Sequence, residues 1–130
     1  MSEFSSSKLR SSQFIRERLL ADPEIKRLVG DAIYPCLAPQ TEGDYIVMTR
    51  TEYGTLSGKM GIYERKCTVI LEIFSDHYDR GLNIAEAVDN HFTVQYEMSL
   101  GGDGVSVQLV EAVEAVVDGK YVQLMEYSIN

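Results

Sequence analysis

From Gly61 to Tyr96 the chain changes its hydrophobic period halfway. Cys67, Val69, Leu71 and Ile73 fall on one face of an extended segment, and Thr68, Ile70, Glu72 and Phe74 on the other. Strand side chains point alternately to opposite faces, so one face is wholly apolar and the other only partly so. The pattern predicts a central strand with one buried face and one half-covered face. Beyond Ser75 the period becomes helical: Ala85, Val88, Phe92 and Tyr96 recur at steps of three and four and share one face. Asp76 can cap the first turn, with Asp79 reaching back as a carboxylate form of the capping box. Gly81 lies inside this run and costs roughly 1 kcal/mol against alanine, which blurs the helix start. The strand needs a cover for its apolar face, and the helix that follows can supply it.

Upstream, Lys8 to Ala21 has helical periodicity. Ile15, Leu19, Leu9 and Leu20 share an arc with Ser12 and Arg16, and Phe14 lies outside it. Phe14 therefore either packs the helix on a second side or stays exposed for a partner. Asp22-Pro23 restarts the chain, because Asp caps well and Pro suits the first helical position. A short helical turn from Glu24 to Val29 ends at Gly30, where a left-handed C-cap fits. Ala32 to Leu37 is a short extended piece. Pro35 removes a ladder donor there and predicts an edge or irregular strand. Pro39 closes it, and Gln40 to Asp44 form a polar loop.

Tyr45 to Thr55 alternates as a strand. Tyr45, Val47, Thr49, Thr51 and Tyr53 share one face, with Ile46, Met48, Arg50 and Glu52 on the other. Gly54, Gly58 and Gly61 bracket a flexible loop, GTLSGKMG, leading to the central strand as a long hairpin. Leu56 and Met60 either fold back on the sheet or contact another chain. Ser99 to Gly104 is a glycine-rich connection matching neither a dinucleotide fingerprint nor a phosphate-cradling loop. Val105 to Val117 alternates, Asp118-Gly119 follows, and Tyr121, Gln123, Met125, Tyr127 and Ile129 alternate again. An Asp-Gly pair between two such runs is a strong hairpin signal. Glu111 interrupts an apolar face, so the strand bends, bulges or reaches solvent there. The order predicts an α+β fold: a mainly antiparallel sheet of four to five strands with two main helices packed on one face. We expect one domain over residues 1–130, with residues 1–7 frayed.

Composition narrows the function classes. The chain has 130 residues, twelve basic against twenty acidic side chains and a net charge of −8. Non-specific nucleic-acid binding needs Lys and Arg to neutralise phosphates, so this balance disfavours it. The pairs Lys26-Arg27 and Arg65-Lys66 read as solvated faces. No run approaches the ~18 apolar residues of a membrane span, and the first twelve residues lack the apolar centre of a signal peptide. Cys36 and Cys67 read as reduced, small core hydrophobes, which fits a reducing cytoplasm.

Local motifs supply no catalytic constellation. His77 and His91 are fourteen residues apart, roughly 21 Å along a helix at 1.5 Å per residue, so if both are helical they cannot share a metal within one subunit. Asp76, His77 and Asp79 cluster at the helix start, where capping and solvation account for them. Glu86 and Asp89 share a face as surface carboxylates commonly do. No serine sits in G-x-S-x-G, and neither cysteine has a histidine nearby in sequence. We expect no enzyme, no cofactor and no metal.

Ala21 to Met48 reads ADPEIKRLVGDAIYPCLAPQTEGDYIVM. Through Leu28-Val29-Gly30, Ile33-Tyr34-Pro35, Ala38-Pro39-Gln40 and Tyr45-Ile46-Val47 it resembles the tail-completion proteins of tailed bacteriophages and prophages. These are small tail-to-head joining or tail-terminator subunits. The later strand ending near Phe74-Ser75 and the helix with Ile84, Ala85, Val88 and Phe92 extend the resemblance over about residues 12 to 95. The final hairpin matches in kind. Members often carry a proline just before the tyrosine that starts the strand; here Asp44 stands in that place.

The resemblance implies a structural subunit of a virion tail, assembled in the bacterial host cytoplasm. Its partners would be copies of itself in a ring, typically hexameric, together with the tail-tube protein and head-connector proteins. It implies no nucleic-acid or membrane partner and no catalytic residue. For such a ring the interface candidates are Phe14, Leu56, Lys59, Met60 and the outer edge of the sheet. The plain alternative for the Gly54–Gly61 loop is disorder. With −8 on each copy, self-association should strengthen as salt screens the repulsion. A small ligand-binding or regulatory α+β domain of a bacterial host is the alternative. It requires a concave apolar pocket with a few convergent polar groups, which the eight tyrosines could furnish.

Overall fold

Cys67, Val69, Leu71 and Ile73 are all fully buried, and they mark the middle of the core. Burying each of the larger apolar side chains contributes about 1.5–3 kcal/mol. They lie on β3 (Gly61–Ser75), in the interior of a twisted sheet. The computed structural model describes residues 8–58, 61–94, 97–100 and 103–130. A 3-10 turn (Lys8–Arg10) leads into α1 (Ser11–Leu20), followed by α2 (Pro23–Val29) and β1 (Ile33–Pro35). The long β2 (Tyr45–Gly58) precedes β3, and α3 (Tyr78–Val94) follows it. The chain closes with β4 (Glu97–Leu100), β5 (Asp103–Val117) and β6 (Lys120–Ile129).

Five strands lie in the order β1-β2-β3-β6-β5, and β4 pairs with the first residues of β5. Only β1 and β2 run parallel. The other pairings are antiparallel, so the fold is α+β with a mixed, mostly antiparallel sheet. All three helices lie on one face. Ile15, Leu19, Ile25, Ile84, Val88 and Phe92 meet Ile46, Met48, Met125, Tyr127 and the β3 row there. The opposite face is half covered, with Tyr45, Val47, Thr68 and Val122 buried and Ile70, Phe74 and Leu124 partly so.

The helix signals hold with two changes. Asp22 caps α2, its carboxylate accepting the N–H groups of Glu24 (2.9 Å) and Ile25 (3.1 Å). Gly30 ends that helix at φ +63, ψ −128, a conformation needing glycine but not the left-handed helical well expected for it. At α3, the Ser75 hydroxyl accepts the His77 N–H (3.1 Å). Asp76, expected as the cap, instead accepts the Lys120 ammonium at 3.0 Å. Gly81 is buried within α3, facing the Ser75 and Gln123 side chains.

Two β-bulges change which side chains share a face. Between Arg50 and Glu52 the β2–β3 register shifts, so Tyr53 packs with Ile46 and Met48 against the helices rather than with Tyr45. Of the bend, bulge or solvent exposure expected at Glu111, the structure shows an exposed Glu111 and a bulge, with the β5–β6 register shifting between Leu109 and Glu111. It puts Leu109 and Val113 on opposite faces, because a one-residue slip inverts every later side chain. Asp118 (φ +50) and Gly119 (φ +79) form the predicted tight turn between β5 and β6. Two extended pieces were not anticipated. Residues read as a loop, Gly54 to Gly58, continue β2 and pair with β3 as far as Gly58↔Gly61. Part of the Ser99–Gly104 connection is strand, with Leu100 pairing with Asp103.

Candidate functional site

At one end of the sheet, Asp44 joins three elements. It accepts Arg80 Nε at 2.8 Å and Nη2 at 2.9 Å, and the Ser75 hydroxyl at 2.9 Å. A guanidinium fork on a carboxylate is a strong, oriented contact. Burial alone would raise the Asp44 carboxyl, but the bonds from Arg80 and Ser75 outweigh it and hold it below the usual carboxylate range. Asp44 thus ties the start of β2 to the end of β3 and the first turn of α3. Beside it, Lys120 Nζ donates to the Gly43 carbonyl (2.7 Å) and to Asp76, and lies 5.4 Å from the centre of the Tyr45 ring. Tyr45 in turn stacks on Phe74 at 4.7 Å.

A second cluster joins the helices. His91 Nδ1 meets Asp22 Oδ2 at 2.7 Å, with both side chains largely buried. A carboxylate only accepts, so Nδ1 carries the proton. Burial alone would raise the Asp22 carboxyl. The bonds from His91 and the two helix N–H groups more than offset it, leaving the carboxyl lowered. In a third cluster, Glu114 on β5 accepts the Tyr78 hydroxyl (2.5 Å) and Gln123 Nε2 (3.0 Å). These bonds, the Tyr78 one first, lower its carboxyl.

These clusters couple elements distant in sequence. None sets a nucleophile against a base. Among the described residues no three His, Cys, Asp or Glu side chains converge as a metal site requires. Among them, too, no helix is long and apolar enough to cross a membrane. The described grooves are shallow, of about 250 to 450 Å³.

The two sheet edges differ sharply. From Gln108 to Asp118 every residue is exposed, yet most are apolar: Leu109, Val110, Ala112, Val113, Ala115, Val116 and Val117. Val110 is 58% and Val116 67% exposed. A strand apolar on both faces is the composition of a covered strand, and a long apolar edge is one that proteins normally blunt. Over 107–117, the side of β5 away from β6 has no strand partner among the described residues. The opposite edge, β1, is blunted. Ile46 donates to the Ala32 carbonyl and Cys36 donates to that of Met48, which turns the backbone of Ile33 and Pro35 outward. Arg16 Nε donates to the Ile33 carbonyl (2.7 Å), the Leu37 N–H donates to the Pro35 carbonyl (2.7 Å), and Pro35 has no N–H to offer.

Of the interface candidates, Phe14 is 8% exposed and packs in the core, as the two-sided reading of α1 has it. Leu56 lies on β2, paired with Glu64, rather than in a loop. Lys59 and Met60 fall outside the described residues. Cys67 is buried, with its Sγ 3.2 Å from the Ser11 hydroxyl. Cys36, expected in the core, is exposed at φ +65 at the end of the edge strand, where its N–H still donates to the Met48 carbonyl. The clamp on Asp44 and the Asp22–His91 bond left no local signal, since their partners lie 36 and 69 residues away.

No family model matches the chain, and no curated protein matches it. A solved structure similar to it is a chain from the virion of a native gene transfer agent particle, at 18% identity and TM-score 0.74, covering 98% of each chain. A second solved structure matches at 17% identity and TM-score 0.56, covering 100% of this chain and 96% of that one. At these identities the likeness is one of fold, and it extends over the whole chain.

Proposed function

We propose that the chain is a structural subunit of a tailed phage or phage-like particle. In this reading it forms a ring that terminates the tail tube and joins it to the head connector. The observation that carries the proposal is the full-length likeness in fold to a chain of an assembled virion. The tail-completion pattern between Leu28 and Val47 supports the more specific role. So does a sheet edge that stays apolar and, among the described residues, unpaired. The subunit acts by shape rather than by catalysis. Its partners are further copies, the tail-tube protein and connector proteins, and it reaches the virion tail from the host cytoplasm.

Negative-stain microscopy of the purified chain, alone and with purified tail tubes, tests this reading. Rings, or caps confined to one end of each tube, are the expected images. Particles of monomer size in both samples, together with intact head-tail joining when the coding sequence is deleted, would overturn it.

A further inference from the structure

We propose that β5 of one copy seats along the α1–β1 edge of the next, so that the ring closes head to tail. This rests on the ring reading above and names the two surfaces that make the seam.

The occupant is chosen by charge and by backbone. The exposed stretch of β5 carries Glu111 and Glu114 among its apolar side chains and no basic residue. On the other side of the molecule, a groove of about 450 Å³ between α1 and the β1 edge is lined by Arg10, Arg16 and Arg50, together with Leu9 and Cys36. None of its described lining residues is acidic, and Leu37, next in sequence to the groove's Cys36, is 79% exposed. The two surfaces are therefore opposite in charge, and each offers exposed aliphatic side chains. Pairing β5 with β5 of another copy would instead bring four carboxylates onto one seam without an arginine or lysine from either strand. Such like-charge juxtaposition costs several kcal/mol.

The blunted edge fixes the mode of contact. The outward carbonyls of Ile33 and Pro35 are already occupied, and Pro35 cannot donate, so β5 cannot extend the neighbour's sheet by strand pairing. It must dock through side chains, with apolar residues against Leu9 and Leu37 and Glu111 toward the arginines, since Glu114 is already bonded to Tyr78 and Gln123 of its own chain. A contact between two different patches repeats in one direction and closes when its rotation divides a full turn.

Cys36 makes the seam testable, because an exposed thiol already stands in the receiving groove. Leu109, Val110, Val113 and Val116 are each replaced singly by cysteine in the full chain, alone and with tail tubes, and the samples are mildly oxidised. A disulfide forms only where the Cβ atoms approach to about 3.5–4.5 Å, so at least one position should give a ladder beyond dimer on a non-reducing gel. That ladder should collapse on reduction and on adding Cys36→Ser. A link that stops at dimer and survives Cys36→Ser means that β5 meets β5, which overturns the proposal. Rings seen by light scattering without a link at any position also overturn it, while leaving the ring reading intact. Monomer mass without a link in every sample overturns both.

Discussion

Asp22 and Asp44 each combine local and long-range bonding, and their substitution should cost more than a surface change. Asp22→Ala removes a helix cap and leaves the buried His91 Nδ1–H without its acceptor. A lost cap costs about 0.5–2 kcal/mol and a buried unsatisfied group about 1–3 kcal/mol. We expect a loss of about 2 kcal/mol in urea unfolding, and Asp44→Ala should lose a comparable amount with its Arg80 fork. Both carboxyls are lowered in the folded state. Their contribution is therefore present above the unfolded carboxylate value of about 3.9 and is lost as pH falls through the folded values. The melting temperature should hold above about pH 5 and drop below about pH 4, with a shallower drop in the double alanine variant. Gly81 points the other way. A Cβ there would meet Ser75 Cβ at 3.5 Å and Gln123 Cγ at 4.0 Å, both ordinary contacts. Gly81→Ala should raise stability by about 0.5–1 kcal/mol, through helix propensity alone, and a lowered urea midpoint would contradict that.

At the scale of elements, alternation carried most of the information. The buried row of β3, the Asp-Gly turn into β6 and the Asp-Pro start of α2 are each set by chemistry within a few residues, so the sequence alone revealed them. Face assignments beyond Thr51 and Val110 did not survive, because a bulge adds one residue to one strand; Glu111 hinted at the one in β5, and nothing in the composition marked the one in β2. β4 escaped notice because only four residues, Glu97–Leu100, are extended there, too few to show a clear alternation. The extension of β2 through Gly54 and Gly58 was hidden by the same glycines that suggested a loop, although pairing with β3 orders that backbone. The candidate surface was half legible. Apolar residues on both faces of β5 can be read from the sequence, but their lack of cover cannot, since exposure depends on which strands lie beside them. The arginine groove draws on α1, the residues after β1, and β2, and only the fold assembles it.

For the whole molecule, the net charge of −8 and a seam of opposite charges act over different distances. At ~0.01 M salt the screening length is about 30 Å, so neighbouring copies repel over their full width. At physiological salt it falls to about 8 Å and only seam-adjacent charges still count, while near 1 M, at about 3 Å, their attraction fades too. Self-association should therefore strengthen from low to physiological salt and weaken again at high salt. Light scattering across that range checks it, and a steady weakening from the lowest salt would show that net repulsion does not govern assembly. The position of β6 carries one more consequence. Residues 120–129 follow every other strand in the sequence, yet they lie between β3 and β5. During synthesis the β2–β3 ribbon and β5 leave the ribosome as separate pieces, with nothing yet between them to bridge the gap. At about 5–20 residues per second, the roughly fifty residues between the end of β3 and the end of β6 leave the Val69 and Leu71 strand unpaired on that side for several seconds, an interval in which a chaperone has most to shield.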